Sequence, residues 1–158
     1  MDNPLLAWER ETELSLAMIA LLRADGAVAL ARAERHRDAW QGRAITFAAC
    51  SLFLHEPGRG MEIYGGVPGF EAMASSDSVE SHFLRGVSAM FMRKAKDALA
   101  SLERAAQLAP DDPFVAFAML ALTTGPSWPP AARVAALEQW SKYTNHPLAG
   151  AAAIMFRA

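Results

Sequence analysis

Apolar residues in this chain recur three and four positions apart almost from end to end, which is the period of helices packed on one side. Asn3-Pro4 predicts the start of a first helix, with Asn3 as cap and Pro4 at the first helical position, where a missing N–H costs nothing. Glu9, Glu11 and Glu13 follow in its early turns, then Leu14, Met18, Leu21 and Leu22 form its apolar stripe. Asp25-Gly26 interrupts the pattern, and 27–37 resumes it as a second helix. From Arg43, the residues Ile45, Phe47, Ala48, Ala49, Leu52 and Phe53 predict a helix apolar on several sides. Pro57-Gly58 ends it. The stretch 57–69 holds five glycines and two prolines, so a helix here is expected to be short, displaced or absent, with the glycines permitting a bent loop.

The second half is more regular. Asp77 and Glu80 stand at capping-box spacing before a helix that runs to about Met92, and a second helix spans 95–108. Asp112 caps and Pro113 opens the next helix, over 114–122. The turn 125–130, rich in glycine and proline with Trp128 inside it, precedes a helix over 131–143. A short terminal helix is expected over 148–157, and its only charge is Arg157. Nowhere do apolar and polar residues alternate as in a strand. The predicted fold class is all-α.

The 34 residues from Val79 to Asp112 carry Gly86, Ala98, Leu102, Ala105 and Pro110 at the offsets of the tetratricopeptide pattern. Asp111-Asp112-Pro113 is echoed 34 positions later by Asn145-His146-Pro147. This unit resembles a tetratricopeptide repeat, although His82, Arg85 and Ala89 replace the family's Trp, Leu and Tyr. The resemblance implies antiparallel helix hairpins in a degenerate, right-handed TPR-like array over 1–158. Its clearest unit is 79–112, the second is 113–146, eroded units precede 79, and the terminal helix is a cap. In that family the first helix of each unit lines a concave groove. Its groove positions here are Glu80, Phe83, Val87 and Met90, then Phe114, Phe117, Ala121 and Thr124. Such a groove would be apolar and would suit a helix or an extended hydrophobic segment. An aromatic stripe at helical spacing serves a core equally well, and both readings stay open at this point.

Composition narrows the partners. The hydrophobic fraction is 53%, and charged residues are only 20%, so apolar surface must be buried or kept for another molecule. A net charge of -2 gives no electrostatic case for nucleic acid or an anionic membrane. The basic stretch Arg32, Arg35, Arg37 and Arg43 lacks a one-face pattern. The apolar run 14–22 is too short to span a bilayer, and its acidic flank is unlike a secretory signal. With Cys50 the only cysteine, no disulfide forms within the chain, and a cytoplasmic setting is expected.

Candidate chemistry is sparse. His36, His55, His82 and His146 form no metal-ligand pair by spacing, so neither metal nor cofactor is expected. Cys50 lies among small apolar residues, where a thiol packs rather than reacts. The glycines of 57–69 lack the strand and the Gly-Lys-Ser/Thr ending of a phosphate loop. The expectation is therefore a non-enzymatic module that holds a hydrophobic segment of another protein: an adaptor, assembly factor or small chaperone. Phe83, Val87, Met90, Phe114, Phe117 and Trp128 are its candidate contacts, Trp128 as a loop anchor. Two alternatives compete: a structural subunit forming a homo-oligomer through its apolar ends, and a helical ligand-binding or enzymatic domain with 57–69 closing a pocket.

Overall fold

In the computed structural model the chain is described at residues 3–22, 25–35, 43, 46, 49–50, 56–123, 128–143 and 145–146, and every regular element among them is helical. The helices are α1 (Pro4–Leu22), α2 (Gly26–Glu34), α3 (Pro57–Glu62), α4 (Gly66–Ala74), α5 (Val79–Phe91), α6 (Ala95–Leu108), α7 (Pro113–Thr123) and α8 (Pro130–Trp140), and a 3-10 turn follows at Ser141–Tyr143. Arg43, Thr46, Ala49 and Cys50 are also helical, and all four are buried. The terminal helix expected over 148–157 lies outside the described residues, as does most of the apolar helix expected from Arg43.

The starts of the helices follow from local chemistry. The Leu5 amide donates to Asn3 Oδ1 at 3.1 Å, and the Val28 amide to Asp25 Oδ1 at 3.2 Å. Asp112 Oδ1 accepts from the amides of both Phe114 and Val115, at 2.9 and 3.1 Å, so it satisfies two donors at the head of α7. The expected Asp77–Glu80 capping box does not form. Ser78 caps α5 instead, accepting from the Ser81 amide at 3.2 Å, because Asp77 and Glu80 are drawn to arginines elsewhere in the fold.

Over 57–69, where a short, displaced or absent helix is expected, the chain forms one short helix and the start of another rather than a loop. Pro57 opens the short helix α3, and Gly65 and Gly66 take left-handed backbone (φ 81° and 77°) to make the joint with α4. A side chain at Gly69 would lie 1.6 Å from the Tyr64 carbonyl oxygen, so the glycines serve a tight junction between two helices.

Each helix from α4 onward packs on the next, and α1 packs on α2. Helices α5 and α6 cross closely, so that a Cβ at Gly86 would stand 2.6 Å from Leu102 Cγ. Small residues at Gly86 and Ala98 let these helices approach, as the sequence pattern required. The turn between them is a Schellman cap: Lys94 N–H bonds Ala89 O at 2.8 Å and Arg93 N–H bonds Met90 O at 3.1 Å. Arg93 takes the left-handed position (φ 59°) that glycine usually fills. One buried apolar cluster runs through the described helices, with Phe83, Leu84, Leu102, Leu120 and Trp140 among its large members.

Candidate functional site

The stripe that the sequence left open between groove and core is buried. Phe83, Val87, Phe114 and Phe117 are at most 5% exposed. Met90 is half-buried against the same cluster. The physical reason is coverage from the chain itself. The Arg43 guanidinium lies 5.4 Å from the centre of the Phe83 ring, Trp140 packs edge-on to Phe117 at 5.7 Å, and the His146 ring packs edge-on to Phe114 at 5.8 Å.

Arg43 organises this covered face. Its Nε and Nη2 donate to Asp112 Oδ2 at 3.2 and 3.0 Å, and its Nη1 stands 3.6 Å from Glu80 Oε1. The arginine is 3% exposed and the Asp112 side chain 9%, so the charges are matched within the protein rather than by water. Arg32 similarly reaches Glu13 Oε1 and Oε2 at 3.1 Å, and thereby joins α2 to α1. Among the described members of the basic stretch, Arg32, Arg35 and Arg43 are all engaged with carboxylates of the chain.

A second polar group ties the α4–α5 connection to α6. Asp77 accepts from Arg104 Nη2 at 2.8 Å and lies 2.6 Å from His82 Nε2. The Arg104 hydrogen bond, helped by His82, holds the Asp77 carboxyl far below the usual carboxylate range. Arg85 Nη2 meets the other His82 nitrogen at 2.8 Å. This network lies at the surface beside three serines, and among them Ser81 Oγ donates to the Met73 carbonyl rather than to the histidine. Cys50 is fully buried and burial pushes its thiol pKa up, which keeps the sulfur in its unreactive form. Among the described residues, no group of three or more His, Cys, Asp or Glu side chains is placed to hold a metal ion.

Concavities lie on two other faces of the described residues. One, of about 390 Å³, lies between α2 and α3 under the start of the glycine-rich stretch, with Leu30 and Ile63 in its lining. Its charged members Glu34, Arg59 and Glu62 are exposed rather than converging beneath a lid, and Arg59 is 3.4 Å from Glu56. The other, of about 360 Å³, is a trough on the far side of α7 from Phe114 and Phe117. Leu99, Glu103 and Ala106 form one wall on α6, and Ala132, Ala136 and Gln139 form the other on α8. Val115, Ala116 and Met119 of α7 make the floor. Trp128, half-buried, closes one end, and Gln139 closes the other by donating to the Pro110 carbonyl at 3.5 Å.

Of the predicted contact residues, only Trp128 borders this trough. The sequence reading missed the others. Their signal was the small-residue spacing Ala132–Ala136 with Gln139 on the same helical face, which looks the same as ordinary helix packing. No family model, curated protein or solved structure matches the chain. No helix among the described residues is long and apolar enough to cross a membrane.

Proposed function

We propose that this chain is a non-enzymatic protein-binding module, a degenerate tetratricopeptide-like array of helix pairs, that holds an apolar segment of another protein. The observation that carries the reading is the trough of about 360 Å³ between α6 and α8, with alanines in its walls and Met119 in its floor. Alanines let a guest backbone come close, and methionine adjusts its shape at little cost. The receiving surface in this reading is the trough and not the Phe83–Phe114 stripe, which the protein fills itself. Helical repeat proteins bury a continuous core between units and offer the remaining faces to partners.

Binding of a fluorescent amphipathic peptide, with leucines at helical spacing and glutamines elsewhere, tests this. Fluorescence anisotropy is expected to show saturable binding to the wild type. It should be lost in Ala135→Trp, which narrows the mouth from an exposed position, while the helical circular dichroism stays unchanged. Absence of binding to the wild type overturns the reading.

A second reading, self-association through an apolar end, draws on α1. Leu5 and Trp8 share one face of its first turns and are 73% and 67% exposed, with Leu6 beside them at 49%. Concentration-dependent mass that disappears in Leu5→Ser/Trp8→Ser, with peptide binding absent, would favour that subunit role.

A further inference from the structure

We propose that the guest of the α6–α8 trough is a basic amphipathic helix, apolar on the face it buries and carrying a lysine or arginine opposite Glu103. This inference rests on the protein-holding reading above. The dimensions come first. On α6 the wall positions Leu99, Glu103 and Ala106 fall at i, i+4 and i+7, and on α8 Ala132, Ala136 and Gln139 do the same. Seven helical steps span about 10 Å, so the trough is about two turns long and matches two turns of a guest helix.

Charge decides what kind of helix. Among the described residues, the charged side chains that line the trough are Glu103 and Asp112, with no lysine or arginine. Asp112 is engaged by Arg43 and by the amides of α7, whereas Glu103 is exposed on the α6 wall. Its sequence neighbour Arg104 is held by Asp77 on another face. Arg133 stands at the Trp128 end, where it donates to the Thr123 carbonyl at 3.4 Å. The guest's cation therefore belongs near the middle of the trough, at Glu103, and away from Trp128.

The same charge argues against a second copy of this chain as guest. The exposed Leu5, Leu6 and Trp8 of α1 are apolar enough, but the exposed Glu9 lies one turn on from Leu5 and would meet Glu103 as a like charge.

Three peptides separate the outcomes: the leucine/glutamine helix used above, and versions with lysine or with glutamate in place of the glutamines. The lysine peptide is expected to bind up to about fivefold more tightly than the glutamine peptide per ion pair formed at low salt, and the glutamate peptide more weakly than either. The lysine advantage should vanish in Glu103→Gln and at high salt, with helical content unchanged. Equal binding of lysine and glutamine peptides, both lost in Ala135→Trp, would overturn the basic-guest inference and leave the protein-holding reading standing. Preference for the glutamate peptide overturns the inference as well. No binding of any peptide overturns both.

Discussion

Placing a single methyl group at Gly86 probes the close crossing of α5 and α6. In a helix, alanine is favoured over glycine by about 1 kcal/mol, so Gly86→Ala at an uncrowded site would stabilise the protein. Here the added Cβ would stand 2.6 Å from Leu102 Cγ, 2.7 Å from Leu102 Cδ2 and 3.3 Å from the Leu102 amide nitrogen. Leu102 is fully buried, so neither its branch point nor its backbone has space to withdraw. Overpacking of this kind costs about 1–3 kcal/mol, and the near approach to backbone places this site in the upper part of that range. The net expectation is a loss of about 1–2 kcal/mol. Leu102→Ala alone should cost about 2–5 kcal/mol by opening a cavity. In the double variant the new methyl occupies space that the leucine vacated, so the two losses should not add. Urea unfolding followed by far-UV circular dichroism measures all four corners of the cycle, with a favourable coupling of about 1–3 kcal/mol expected. Strict additivity, or a Gly86→Ala protein at least as stable as the wild type, would refute the crossing geometry.

Two further expectations concern the charges and the backbone. Arg43→Met removes one member of a buried pair, yet Asp112 keeps its two amide donors, so the loss should sit near the low end for such changes, about 3 kcal/mol in urea unfolding. Adding Asp112→Asn, which preserves the cap while removing the charge, should recover part of that loss, and a fully additive double variant would contradict the pairing. Arg93→Gly relieves a left-handed residue in the α5–α6 turn and should raise stability by about 1 kcal/mol. A thermal shift of about 2–4 °C is the matching readout for a chain of this length, and a drop in stability would count against the cap.

Local grammar reported itself well in the sequence. The helices over 79–91, 95–108, 113–123 and 130–140 begin and end within about two residues of the positions that spacing, proline and capping residues mark, apart from the last, which continues as a 3-10 turn to Tyr143. Gly86 was recognisable as a close-approach residue because its partner helix lies only a three-residue turn away. The capping box failed for a reason the local pattern does not hold. Ser78, one residue on from Asp77, is an equally good cap, and Asp77 was claimed by Arg104, 27 positions distant. Glu80 was claimed in turn by Arg43. Glycine density marked a break at 57–69 but did not say that the glycines sit at a helix joint, because left-handed backbone serves a loop and a junction alike.

The candidate surface was less legible, since exposure is a property of the assembled molecule. A stripe such as Phe83, Val87 and Met90 has the same helical spacing whether water, a partner or the chain itself lies over it. The chain's own Arg43, bonded to an aspartate 69 positions away, lies against Phe83, while Trp140 and His146 cover Phe117 and Phe114. The alanines at 106, 132 and 136 likewise read as packing residues, and they border an open trough only because α6 and α8 stand apart over α7. By itself, then, the sequence determined the helical class, most helix limits and the small residues at the α5–α6 crossing, all set by interactions within a few turns. Tertiary structure alone decided which apolar face was filled and which was left open, because that depends on segments far apart in the chain meeting in space.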